Sequence, residues 1–590
     1  MKNFFKYVLA TIVGLILTGI IVSIFLGAMI SSISLSSNKE VIVKPNSVLH
    51  LNFDKQIYDK APSNLMSSFN PMNMEMESYL GLNTIIECIE KAKTDDNIKG
   101  IFIETLGVSG GIAIADEIRQ ALSDFKESGK FIVTYSKNLT QTGYYLASIS
   151  DKIFINPEGS IAFTGLSAEV MFYKDMLDKL DVDVSVFRPV GNKFKSAVEP
   201  FINNKMSEAN KEQVTRYLTS IWGNMLKEIS TSRNISIEAL NKLADDYAIK
   251  SSEDAMDNNL IDSVAHYDEA LAYINMLLGK DKDATIENIR LSSYSKVKDS
   301  KSKEFTKDRI AVIYAQGNII DGKGDELKIG DQTLAKQIRD ARKNNNIKAI
   351  VFRVNSPGGS ALASEVILRE ILLAKHVKPV IASYGTYAAS GGYYISCCCD
   401  KIVSGKNTLT GSIGVFGMLP DMHKLLNEKI GITTDYVGTN KNSRQLSPFS
   451  PMTEDSKEYM NTMVNDIYKT FIGHVADGRS MTTEAVDNIG QGRVWTGTDA
   501  LEIGLVDEIG GLNRAIEVAA EAAGITNYVI ENYPKDKDTY TQLMEMFSGE
   551  TPESKMSSQL GILYPYYQMM TDFTELNNVQ ARLPYRINIY

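Results

Sequence analysis

The sequence predicts an α/β protein made of two tandem copies of one domain. Each copy is a largely parallel sheet covered by helices, and a single membrane-spanning helix precedes them. Three observations predict this. Short apolar, β-branched runs alternate with helical stretches, the rhythm of βαβ crossovers. A set of short motifs recurs at one fixed spacing. The chain also opens with Val8 to Ile30, 23 residues without a charge.

That opening segment reaches about 34 Å as a helix, enough for a ~30 Å hydrocarbon layer. Lys2 and Lys6 precede it, as expected for an N-in orientation, although Lys39 and Lys44 follow it. A cleaved signal peptide would have a shorter apolar core and an Ala-x-Ala-like site, so the segment reads as an uncleaved anchor. The remainder reads as one body on one face of a membrane.

The repeat is explicit. Asn97-Ile98-Lys99 recurs as Asn346-Ile347-Lys348, Gly143-Tyr144-Tyr145 as Gly392-Tyr393-Tyr394, and Asp151-Lys152-Ile153 as Asp400-Lys401-Ile402, each 249 residues on. Gly110-Gly111 and Gly358-Gly359 are 248 apart, and Leu260-Ile261-Asp262 resembles Leu505-Val506-Asp507. The expected organisation is a short lead (1–7), the anchor (8–30), a first copy (46–275), a linker (276–307) with the charged stretch Lys296 to Lys307, and a second copy (308–525). Residues 526–590 fit neither copy.

In the second copy, Arg309 to Ala315 predicts a buried strand and Leu334 to Arg342 a helix. Strand Lys348 to Val354, a turn at Ser356-Pro357-Gly358-Gly359 and helix Ala361 to Ala374 follow. Strand Val380 to Tyr384 then leads into Tyr387-Ala388-Ala389-Ser390-Gly391-Gly392 and another helix. The first copy repeats this order with strand Gly100 to Glu104, Gly110-Gly111, helix Ile112 to Ser123 and strand Phe131 to Tyr135.

Composition removes several function classes. With 44% apolar and 23% charged residues the chain is a folded globular protein rather than a disordered one. A net charge of −10 argues against a nucleic-acid binder. Four cysteines, Cys88 and Cys397 to Cys399, cannot form a disulfide scaffold, and no CxxC pair suggests zinc; the adjacent three read as fillers of a buried helix.

Two strand-to-helix turns carry the candidate chemistry. Gly358 and Gly359 allow a sharp turn and expose N–H groups at a helix N-terminus, where negative charge is favoured, as an oxyanion hole requires. A plain structural turn is the alternative. Ser390, among small neighbours at the next such turn, is a nucleophile or a helix N-cap. A nucleophile needs a base. Of His50, His266, His376, His423 and His474, only His423 is placed for a triad, and lysine is the other choice.

Comparing the copies separates these options. Opposite Ser390 stands Gln141, so the first copy lacks the serine. The first copy instead has Phe194-Lys195-Ser196-Ala197-Val198-Glu199-Pro200-Phe201, and Lys195 faces Ser443 or Arg444 in the second. One copy offers the serine and the other the lysine, unless Lys195 is an ordinary surface lysine. Ser196 and Glu199 are nearby candidates for orienting it. An ordinary lysine, pKa about 10.4, is neutral in only about 0.04% of molecules at pH 7, so a useful base must have its pKa lowered, which burial can do.

SPGG followed by YAASGGYY, with FKSAVEPF in the preceding duplicate, resembles the signal peptide peptidase A family (protease IV), in its long duplicated form. The resemblance covers roughly residues 45–525 and the anchor. It implies tandem ClpP/crotonase-like spiral domains, Ser390 as nucleophile, Lys195 as general base, and an oxyanion hole at Gly358 and Gly359. It further implies a serine protease that degrades signal peptides left in the membrane, a homotetramer, and a body on the periplasmic side of a bacterial inner membrane. No metal or organic cofactor and no nucleic acid is implied. A ClpP-like Ser390–His423 peptidase, a crotonase-like acyl-CoA enzyme and a non-catalytic membrane scaffold are the competing readings.

Overall fold

The computed structural model describes residues 6, 14, 17, 41–62, 69–70, 75–76, 79–297, 306–444, 446–535 and 580–582. The expected anchor at 8–30 lies outside the described residues except for Gly14 and Leu17. Among the described residues no helix is long and apolar enough to cross a membrane.

Two sheets organise the chain. The first runs Ser263–Val264, Lys152–Ile161, Phe131–Leu139, Ile98–Glu104, Ser47–Leu51 and Asn288–Arg290, all parallel. The second places Ile347–Ser356 between Arg309–Gln316 and Val380–Ala389, with Val529–Tyr533 at the edge beyond Arg309–Gln316. On the other side, Val380–Ala389 pairs with both Lys401–Ser404 and Leu409–Gly411. Strand order and direction match between the two sheets, so this is one α/β fold in two copies. An exception is the antiparallel pair Leu409–Gly411 with Val494–Thr496. Each sheet also reaches past the expected boundary: Asn288–Arg290 lies in the stretch read as linker, and Val529–Tyr533 in the C-terminal extension. Both are short edge strands, NIR and VIENY, interrupted by polar residues, and they carry little apolar signal.

Alternation explains why helices cover both faces. In the second sheet Ile310, Val312, Val351 and Ile381 pack under helix Leu512–Ala523, while Ala311, Ile313, Ile350 and Phe352 pack under Asp331–Lys343 and Ala361–Lys375. The first sheet repeats this, with Phe102 and Val133 toward helix Tyr267–Leu277 and Ile101 and Ile103 toward Leu82–Thr94 and Ile112–Lys126. Ala389, Leu409 and Val494 of the second copy belong to the core of the first, so the two copies share apolar packing at their seam. Strand Asp183–Phe187 of the first copy also pairs antiparallel with Gly417–Asp421 of the second.

Two local expectations change. The helix after Ser390 is one turn, Gly391–Tyr394, and Cys397 to Cys399 are buried in the turns that follow it rather than in a helix; all four cysteines are free. Strand Val380–Ala389 continues to the residue before Ser390, five residues past the expected end, because Tyr387 to Ala389 pair with Leu409–Gly411.

Candidate active site

Ser390 is fully buried where a central strand breaks into a helix. Its φ of 55° and ψ of −115° are unusual for a residue with a Cβ, a conformation costing about 1–3 kcal/mol that neighbouring structure must hold in place. Its own N–H donates to the Gly411 carbonyl at 2.8 Å. The hydroxyl makes no capping bond to the helix that follows, so the N-cap alternative is not realised. Instead Ser390 Oγ lies 2.8 Å from Lys195 Nζ and 3.4 Å from the Gly414 carbonyl.

Lys195 comes from the first copy, just ahead of the 3₁₀ turn Ser196–Val198, and is completely buried. Its Nζ also contacts the Ser412 hydroxyl at 3.0 Å and the Ser412 carbonyl at 3.2 Å. Burial alone pushes the Lys195 amine well below the ordinary lysine range. The surface-lysine alternative therefore fails on exposure. The approach depends on Gly492, whose φ is 83°: a Cβ there would stand 2.6 Å from the Lys195 backbone N. Gln491 accepts the Phe194 N–H at 3.1 Å, and the Arg493 guanidinium covers the Phe194 ring at 4.6 Å. Gln213, from helix Glu208–Arg233, donates to the Phe194 carbonyl and the Ser196 hydroxyl and accepts from Val494 N–H. These contacts close the seam over the lysine.

The glycine turn lies alongside. Gly358 N–H donates to the Ser356 hydroxyl at 3.1 Å. Gly359, φ 156°, pairs with Ile319, and a Cβ there would sit 2.0 Å from the Ile319 carbonyl oxygen, so only glycine fits. Gly358–Ser360 is also paired, antiparallel, by Gln580–Arg582 from the C-terminal extension. That segment therefore places an extended chain against the glycine strand beside Ser390.

The profile of peptidase family S49 matches residues 124–280 and 373–526, one segment in each copy and together more than half of the chain. Protease 4 of Haemophilus influenzae is 33% identical over 592 residues, covering 96% of both chains. The chain belongs to peptidase family S49. Protease 4 of Salmonella typhi is 38% identical over 79% of this chain and 76% of its own length. The chloroplastic serine protease SPPA of Arabidopsis thaliana is 32% identical over 92% and 78%. This S49 member is a serine protease, and its substrates are peptides.

The remaining candidates fall elsewhere. His423 pairs with Asp421 through Nδ1 at 2.6 Å, and the partners of Ser390 Oγ are Lys195 and the Gly414 carbonyl. Glu199 accepts from Ser207 and Asn210 at the start of helix Glu208–Arg233, and Ser196 is bonded to Gln213, so neither orients Lys195. Gln141, opposite Ser390 in the repeat, is tied by its side chain to Thr164 and Gly165. The residue that the sequence reading missed is Ser412. Its equivalent 249 residues earlier is Phe163, so the same comparison that isolated Ser390 carries a signal for it.

Proposed function

We propose that this S49 serine protease is a membrane-anchored endopeptidase that uses Ser390 and Lys195 as a dyad to degrade signal peptides left in the membrane after preprotein processing. The observation carrying this reading is the 2.8 Å approach of a desolvated lysine amine to a strained, buried serine across the seam between copies.

The chemistry follows from valence. A neutral Nζ has two N–H donors and one lone pair. With the donors directed at the Ser412 hydroxyl and carbonyl, the lone pair faces the Ser390 hydroxyl. As Ser390 Oγ attacks a peptide carbonyl, its proton passes to Nζ, and the tetrahedral oxyanion is held by backbone N–H groups of the Gly358–Gly359 turn. Before this, Gly358 N–H must leave the Ser356 hydroxyl. The lysine ammonium then protonates the leaving amine, and water, activated by the same Nζ, hydrolyses the acyl-enzyme. The pairing of Gln580–Arg582 on Gly358–Ser360 shows that this edge accepts an extended strand, and substrate binding there requires Gln580–Arg582 to be displaced. The anchor at 8–30 rests on its 23 uncharged residues, and a body on the periplasmic side of a bacterial inner membrane and a homotetramer rest on the family resemblance. A fluorophosphonate probe tests the core of the proposal: labelling at Ser390, abolished in Ser390→Ala, is expected. Labelling elsewhere, or none in a folded protein, overturns it.

A further inference from the structure

Just below the two reacting turns, the ladder between their strands is irregular. Val354 pairs with Tyr384, but the next pair is Ser356 with Ala388, so one strand advances two residues while the other advances four. Such a break leaves backbone groups without ladder partners and lets the strands diverge. This gap lies directly under Ser390 on one strand and under Gly358 on the other.

Side chains fill the break, and the first copy holds them. Asn355 Oδ1 accepts the Tyr387 N–H at 3.1 Å, replacing the missing ladder bond, while its amide donates to Asp59 of the first copy. Thr386, also in the break, donates to the Gly110 carbonyl of the first copy at 3.0 Å. Asp59 is fixed in turn: Arg353, on the glycine-turn strand and wholly buried, donates to it at 2.6 Å, and its own N–H donates to Gln316 at 3.0 Å. Arg353 further binds Glu117 of the first copy, the Ser383 hydroxyl and the Tyr384 carbonyl. At the equivalent places the first copy has Glu104 and Leu106, so its own sheet lacks this arginine–asparagine pair. Buried ion clusters contribute little net stability compared with apolar packing, and their best-attested use is to fix register.

We infer that Asp59, Asn355 and Arg353 form a positioning bridge by which the first copy, besides supplying the lysine, sets the separation of the nucleophile turn from the glycine turn. The bridge touches no substrate and acts through the strands it spans. This rests on the reading of Ser390 as nucleophile, which labelling of the parent protein checks separately.

The test is kcat and KM for an apolar peptidyl p-nitroanilide on the full chain, with kcat normalised to sites titrated by a fluorophosphonate, well below each variant's melting temperature. A merely structural role lowers the number of titrated sites but leaves kcat per site unchanged. For Asn355→Ala, kcat per site should fall about 10- to 100-fold with KM within about threefold, the cost expected for a misplacement on the order of 1 Å. The exchange D59N/N355D, which restores an amide–carboxylate pair, should recover most of that loss. Thr386→Val removes only the hydroxyl bonded to Gly110 and provides a milder second reading, with kcat per site a few-fold down. Unchanged kcat per site in both Asn355→Ala and Thr386→Val, or a loss carried by KM alone, would overturn the bridge.

Discussion

Ser412→Ala removes one of the two acceptors that aim the Lys195 amine. In the structure the serine hydroxyl stands 3.0 Å from Nζ and is fully buried, so water does not readily replace it. A lost neutral hydrogen bond is worth about 0.5–1.5 kcal/mol, but an N–H left unpaired in a buried site costs about 1–3 kcal/mol. If that penalty is felt once the amine must hold its lone pair toward Ser390, kcat/KM falls by about 5- to 150-fold at ~1.36 kcal/mol per decade. The same Nζ serves acylation and deacylation, and kcat/KM reads the acylation part, while the Ser412 carbonyl still accepts the other N–H at 3.2 Å and Ser390 is untouched. The assay is kcat/KM for a chromogenic peptide from pH 6 to 10, normalised to fluorophosphonate-titrated sites, for Ser412→Ala and the parent. A variant within twofold of the parent across that range refutes the claim that Ser412 orients the base.

Further outcomes concern Lys195, His423 and the N-terminal segment. Burial holds the Lys195 pKa down, so the active neutral amine gains population as pH rises, and kcat/KM should climb through an apparent pKa below the ordinary lysine value. Lys195→Arg and Lys195→Met should both be inactive, since a guanidinium stays charged. Lys195→Met should also be more stable than the parent to urea at pH 7. The folded parent binds fewer protons here than its unfolded chain, a penalty that shrinks as pH rises toward about 10.4, so equal stabilities at pH 7 would contradict a desolvated lysine. His423→Ala should keep kcat/KM within about threefold, because its Nδ1 partner is Asp421; a folded but inactive variant would return the base role to histidine. Deleting residues 1–40 should give a protein that stays in solution without detergent and still hydrolyses peptide esters. A folded, inert product would show that the segment helps build the site.

Much of this was legible in the sequence because it rests on local patterns. Ile347–Ser356 and Val380–Ala389 are runs buried on both faces, and the mismatch of Ser390 with Gln141 and of Lys195 with Ser443 or Arg444 points to one site shared between copies. What was not legible depends on side chains meeting across long stretches of chain. Ser412 reaches Lys195 across 217 positions. Proximity in sequence points to Ser196 and Glu199 for the orienting role, yet both face helix Glu208–Arg233. The edge strands Asn288–Arg290 and Val529–Tyr533 escaped because a short, half-exposed strand has no apolar run to betray it.

The proposed division of the dyad between copies has a physical reason. A lysine base works only if it loses its hydration, and a single domain of this fold offers the equivalent stretch no cover. In the second copy residues 428–443, leading up to the Lys195 equivalent, are exposed, with Ile432 52% and Val437 95% accessible. An amine there would stay solvated and charged at neutral pH. In the first copy the same stretch is closed over by the second: Asp183–Phe187 pairs with Gly417–Asp421, Gly492 packs against the Lys195 backbone, and Arg493 caps Phe194. The surface that desolvates Lys195 therefore belongs to the copy that carries Ser390. With the two copies packed together, burial lowers the Lys195 pKa at the same seam where its amine meets Ser390.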